Sequence, residues 1–263
     1  MECPTKVLKP IFYESESLLD ECINSVGGVK VRSLFAESPS FDNADYALDN
    51  YNIIAELKCL QDDKSNDPVF LNKIKEKFSN HLEKEKKQIF GTILINSSQV
   101  SENCTKEILD IFRKPIQTLT KKANKQIRET KQNLHKENAH GLLILINDNN
   151  KLFEPSLIIG LVGECLRRDR LSSIDSVLYL TINLTATNQD ESFETLVWVE
   201  CSRDPNNQCN QEFYIALRKA LYSKLGIASE RTLTFGPQNH KFLESLKNKG
   251  QKELFFNLDN KDS

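Results

Sequence analysis

The run Gly141-Leu-Leu-Ile-Leu-Ile-Asn, closed by the turn-forming residues Asp148-Asn-Asn, constrains the fold more than any other stretch of this chain. A strand with one wet face alternates apolar and polar residues, whereas seven residues without a charge suit a strand with no wet face at all. Such a strand needs cover on both sides, which helices supply in α/β proteins. The sequence offers those helices. Residues 155–168 carry Leu157, Ile158, Leu161, Val162, Cys165 and Leu166 on one side, and residues 211–225 are amphipathic. Residues 105–138 carry a stripe of Ile108, Phe112, Ile116, Leu119, Ala123, Ile127 and Leu134, with Pro115 expected to open the second part of that helix.

Upstream, residues 14–26 have helical spacing (Leu18, Leu19, Cys22, Ile23, Val26) with acids in the first turn, and Gly27-Gly28 ends the helix. Residues 29–35 alternate and predict a strand. Residues 45–48 and 53–60 predict two more, joined by the turn-type residues Asp49-Asn-Tyr-Asn. Residues 61–90 predict a polar loop and a lysine-rich surface helix, and 90–95 a short apolar element. Strands are expected at 176–184 and 195–200, and the charged tail from about Lys247 is expected to fray. The sum is one α/β domain over 1–263, a mixed central sheet flanked by helices on both faces, with a helical insertion around 61–105.

Several function classes are excluded. No apolar run approaches the roughly 18–20 residues that span a bilayer, and the N-terminus lacks a basic start followed by an apolar stretch. A cytoplasmic protein without a membrane partner is expected. Seven cysteines, an odd number with no CxxC pair, suit reduced, buried thiols. His81, His135, His140 and His240 form no HxxxH or HExxH pair, which argues against a histidine-based zinc hydrolase. No P-loop, GxGxxG or GxSxG occurs. With 35 basic and 37 acidic residues, any nucleic-acid surface must be a local patch.

The chemistry lies in Ala44-Asp45-Tyr46, ten residues, then Glu56-Leu57-Lys58. Alternation along a strand projects Glu56 and Lys58 to one side. Ile54, Leu57 and Leu60 give that strand apolar partners, so its charges are costly unless matched. A divalent cation resolves the cost: Asp45, on the adjacent strand, meets Glu56 across the hairpin and shares one hard ion. Carboxylates suit Mg²⁺ or Mn²⁺. The ion acidifies a bound water and neutralises phosphate charge, while Lys58 orients that water or stabilises the transition state. Asp49 is a rival to Asp45, although it resembles part of the turn, and Asp42 is a third option.

These residues resemble the PD-(D/E)xK nuclease superfamily, the restriction-endonuclease-like fold. Its core order is α-β-β-β-α-β, with an acid at the second strand and (D/E)xK on the third. The acid matches Asp45 and ExK matches Glu56–Lys58. Ala44 replaces the proline, and the stretch before the next core helix requires an insertion. The resemblance implies a Mg²⁺-dependent nuclease acting on DNA or, less often, RNA, and by association a role in defence or restriction. It also implies that Gln126, beside the stripe of the core helix, faces the active site. Glu16 or Glu21 on the first helix are candidates for a further acid, and Lys122 and Lys131 for phosphate contacts. Lys121, Lys122, Lys125, Arg128 and Lys131, with Lys73, Lys75, Lys77, Lys84, Lys86 and Lys87, would line a nucleic-acid groove. A homodimer is left open, because breaking both strands of a duplex takes two active sites. The competing readings are a catalytically inactive binding or assembly protein of the same fold and an unrelated α/β interaction protein.

Overall fold

The computed structural model describes residues 13–37, 39–62, 67–84, 101–148, 150, 155–168, 171–183, 197–204, 206–207 and 209–226, together with short strands at 93–95, 185–188, 191–194 and 254–256. In chain order the elements are α1 (Ser15–Ser25), β1 (Val29–Lys30), a 3₁₀ turn (Val31–Leu34), β2 (Tyr46–Leu48), β3 (Ile53–Leu60), α2 (Pro68–Lys84) and β4 (Ile93–Ile95). There follow α3 (Glu102–Asn133), β5 (His140–Asp148), α4 (Pro155–Arg168), β6 (Ser176–Ile182), β7 (Thr185–Asn188), β8 (Glu191–Glu194), β9 (Trp198–Ser202), α5 (Gln211–Leu225) and β10 (Leu254–Phe256). They fall into two compact units. The first comprises Met1–Gln61, Lys125–Asn150 and Ser173–Glu230, and the second Asp62–Asn124, Lys151–Ser172 and Arg231–Ser263.

The first unit is built on a mixed six-stranded open sheet in the order β1-β2-β3-β5-β6-β9. β3, β5 and β6 run parallel, and the other neighbours are antiparallel. As the uncharged run requires, β5 is central and buried from Gly141 to Asn147. Alternation divides its side chains. Leu142, Ile144 and Ile146 join Ile53, Ala55 and Leu57 of β3 and Leu178, Leu180 and Ile182 of β6 on one face. Leu18, Leu19, Cys22 and Ile23 of α1 and Phe213, Tyr214, Leu217 and Leu221 of α5 cover that face. Each such side chain contributes roughly 1.5–3 kcal/mol on burial.

The opposite face carries Ile54, Glu56 and Lys58 of β3 and Leu143 and Leu145 of β5, and the C-terminal part of α3 lies against it. There Gly141 is required by close approach: a Cβ would stand 1.7 Å from the Ser173 carbonyl oxygen and 3.1 Å from the Ile127 methyl. The β2–β3 hairpin turns through Asp49, Asn50 and Tyr51, all left-handed (φ 48°, 53° and 67°). Asp and Asn tolerate this region and Tyr does not; the Asn52 N–H to Asp49 carbonyl bond (3.0 Å) closes the turn.

In the second unit, Phe70 of α2 meets Phe112 of α3 edge to face, with ring centroids 5.3 Å apart, and Lys77 pairs with Glu107 (3.1 Å). β4 and β10 pair antiparallel.

Some expectations change in detail. Residues 29–35 give only two strand residues before a 3₁₀ turn: the Val31 N–H still bonds the Asp45 carbonyl in register (2.9 Å), and beyond it the Ser33 hydroxyl bonds back to the Lys30 carbonyl (2.7 Å). Pro115 lies inside an unbroken α3. One missing helical hydrogen bond costs about 3 kcal/mol, which the buried Phe112 and Ile116 on either side of it offset. The hairpin β7–β8 has no counterpart in the sequence reading. Most of the charged tail lies outside the described residues, but Leu254–Phe256 forms a strand rather than fraying. The cysteines at 22, 59, 104, 165, 201 and 209 are free thiols. Among the described residues, no helix is long and apolar enough to cross a membrane.

Candidate functional site

The antiparallel register of the β2–β3 hairpin pairs Tyr46 with Ala55. Extending it by one residue sets Asp45 across from Glu56. Two backbone amides fix Asp45: its carbonyl accepts from Val31 N–H (2.9 Å) and its carboxylate Oδ2 from Leu57 N–H (2.8 Å). Because Leu57 faces the α1–α5 core, its neighbours Glu56 and Lys58 share the other face, as their spacing dictates.

Glu56 is fully buried. Its Oε1 accepts from Lys58 Nζ, while Oε2 has no donor among the described residues and stands near enough to Asp45 for the two carboxyls to share a hydrogen bond when Glu56 carries a proton. Burial, and then the negative charge of Asp45, push the Glu56 carboxyl up to about 8 against the opposing pull of Lys58. Lys58 remains about one-fifth exposed, at 20%. A buried carboxylate oxygen without a donor is a costly feature that a bound cation would relieve.

α3 brings the fourth candidate. Gln126 is buried; its Nε2 donates to the Asn43 carbonyl (3.1 Å), and its Oε1 has no partner among the described residues. One residue earlier, Lys125 pairs with Asp42 (2.9 Å). One turn later, Thr130 Oγ1 accepts from the Ala44 N–H (2.7 Å). Three successive residues, 42, 43 and 44, are therefore held by α3 immediately before Asp45.

The other acids go elsewhere. Asp49 sits in the hairpin turn and accepts from Asn210 Nδ2 (3.3 Å), and Asp42 is taken by Lys125. Of these three, Asp45 is the one whose charge bears on Glu56. Glu21 pairs with Lys224 of α5. Glu16 acts on Cys59, which packs against the opposite face of the sheet from Glu56; helix α1 covers that other face, so neither acid joins the site. Lys131 also departs from expectation. It is buried and bonded to Asp175 (3.2 Å) and to the Ser173 carbonyl (3.4 Å), so it is not presented to a phosphate. Lys121, Lys122, Lys125 and Arg128 are exposed on α3, as are Lys73 and Lys77 on α2; Lys86 and Lys87 and the side chain of Lys84 lie outside the described residues.

Among the described residues, no group of three His, Cys, Asp or Glu side chains is arranged to hold a metal ion. Asp45 and Glu56 form a pair. That suits a cation that binds through one or two carboxylates and keeps several waters, as Mg²⁺ does, and is too few for a closed zinc site. Thr130 and Asn43 escaped the sequence reading. The signal for Thr130 was its spacing: four residues after Gln126, it lies on the same face of α3.

No family model matches this chain, nor does any curated protein or solved structure.

Proposed function

We propose that the protein is a nuclease of the PD-(D/E)xK type, hydrolysing phosphodiester bonds of nucleic acid, DNA foremost, with Mg²⁺ or Mn²⁺ held by Asp45 and Glu56. One observation carries the reading: a fully buried glutamate with an unpartnered oxygen, facing a second carboxylate and flanked by a lysine on the same strand face. With α2 and β4 taken as the insertion, the element order α1-β1-β2-β3-α3-β5 matches the α-β-β-β-α-β order of that superfamily and supports the same reading.

Asp45 has one carboxylate oxygen committed to Leu57 N–H, which orients the other for a cation. Glu56 offers Oε2. The cation, when bound, supplies an acidified water and neutralises phosphate charge. Lys58 is partly exposed and brings a positive charge to the attacked phosphate and a donor to orient the water. Gln126 Oε1, without a partner among the described residues, is an acceptor that can fix a water or a sugar hydroxyl. The exposed Lys125 and Arg128 give a site for the nucleic-acid backbone. Action in the cytoplasm, in defence or restriction, follows from the family resemblance alone.

Incubation of mixed DNA and RNA fragments with the wild type in Mg²⁺ or Mn²⁺ should give cleavage that EDTA stops and that Asp45→Ala, Glu56→Ala and Lys58→Ala each abolish. Cleavage that persists in all three folded variants would remove the proposal.

A further inference from the structure

We infer that Thr130 is a positioning residue that sets the metal affinity of the site by holding the chain at Ala44, a step that rests on the reading of Asp45 as a metal ligand. Ala44 and Thr130 are both fully buried, so the Ala44 N–H has no water to turn to and depends on Thr130 Oγ1 at 2.7 Å. The bond lies one peptide before Asp45. Beyond Asp45, the chain is pinned by the Asp45 carbonyl to Val31 and by Tyr46 pairing with Ala55. Before it, the chain is held by α3 and by Asn43: Lys125 binds Asp42, Gln126 and Thr130 bind the carbonyl and the N–H of the one Asn43–Ala44 peptide, and Asn43 Nδ2 binds the Ala44 carbonyl (2.7 Å). Of the α3 side chains that reach this segment Thr130 is the fully buried one, so its bond helps fix the Asn43–Ala44 peptide and with it the approach of Asp45, whose carboxylate the Leu57 N–H then orients. The threonine suits the task because it is fully buried, so packing around its methyl holds the hydroxyl in the one rotamer that meets the Ala44 N–H. Mutation of partners that orient a ligand typically costs about 10–100-fold in metal affinity.

The test is Mn²⁺ binding by electron paramagnetic resonance on the full chain, with folding checked by circular dichroism. Thr130→Val keeps the shape and removes the acceptor. It should lower Mn²⁺ affinity on the order of tenfold, while Thr130→Ser restores it. The Asp45→Ala chain, which loses the site, serves as the non-binding reference. Thr130→Ala carries the same expectations if the valine variant does not fold. A folded Thr130→Val or Thr130→Ala chain that binds Mn²⁺ as tightly as the wild type, or a folded Thr130→Ser chain that binds as weakly as Thr130→Val, overturns the inference and leaves the metal site standing. Absence of Mn²⁺ binding by the wild type overturns the site and the inference together.

Discussion

Removal of the charge at Glu56 should flatten the pH dependence of folding in the metal-free protein. In the folded chain the Glu56 carboxyl is raised from 4.5 to about 8 by burial and by Asp45. Between those values the folded state keeps a proton that the unfolded state has lost. The stability contributed by neutral Glu56 is therefore fully present below about 4.5 and disappears as pH rises through about 8. One proton corresponds to about 1.4 kcal/mol per pH unit, so roughly 3–4 kcal/mol is lost between about pH 5 and about pH 8. Glu56→Gln has nearly the same shape and does not titrate. Its amide oxygen still accepts from Lys58 Nζ, as the neutral carboxyl does, so it should not show the loss across this window. Urea unfolding of both proteins in EDTA at several pH values measures the difference directly. Stability curves that stay parallel from about pH 5 to about pH 8 would refute the assignment of a proton to buried Glu56. Millimolar Mn²⁺ should restore the wild type at the alkaline end and leave Glu56→Gln unchanged, because a ligand that binds only the folded state stabilises it.

Lys58→Met should leave metal binding measurable while cleavage falls by at least about a hundredfold, read by comparing calorimetry with turnover. Gly141→Ala forces a Cβ into the Ser173 carbonyl and should cost more than about 3 kcal/mol, read as a loss of soluble folded chain or a large fall in urea midpoint. Lys131→Met removes the cation beside Asp175, which keeps the Gly141 N–H (2.7 Å) on the same oxygen, and should destabilise the fold by about 1–2 kcal/mol without changing the salt dependence of nucleic-acid binding. Arg128→Ala should do the reverse, leaving stability within about 0.5 kcal/mol and lowering the salt slope of binding by about one.

Much of the fold was legible because period and length agree at the long elements. The central strand at 140–148, the helices at 155–168 and 211–225, and the β2–β3 hairpin follow directly from hydrophobic pattern and turn chemistry. Prediction failed where tertiary bonds outweighed local pattern. The alternation of residues 29–35 suggests a strand, yet after Val31 bonds the Asp45 carbonyl in the register of the ladder the chain winds into a 3₁₀ turn. Pro115 suggests a helix start, yet packing on both sides carries α3 through it. At the site, the pairing of Glu56 with Lys58 was legible from their spacing alone. Which charges are presented and which are buried was not. Lys131 looks like its neighbours in a basic run, and only Asp175, 44 residues away, decides that it points inward. The acids of α1 were misplaced for a related reason: sequence order does not say which face of the sheet a helix covers, and α1 covers the face opposite Glu56.

Calorimetric titration of Mg²⁺ or Mn²⁺ into the wild type and into Asp45→Ala and Glu56→Ala tests the central claim most directly. A site built from these two carboxylates predicts saturable binding in the wild type that is lost in each variant. Equal binding in all three folded proteins, or none in the wild type, would contradict it.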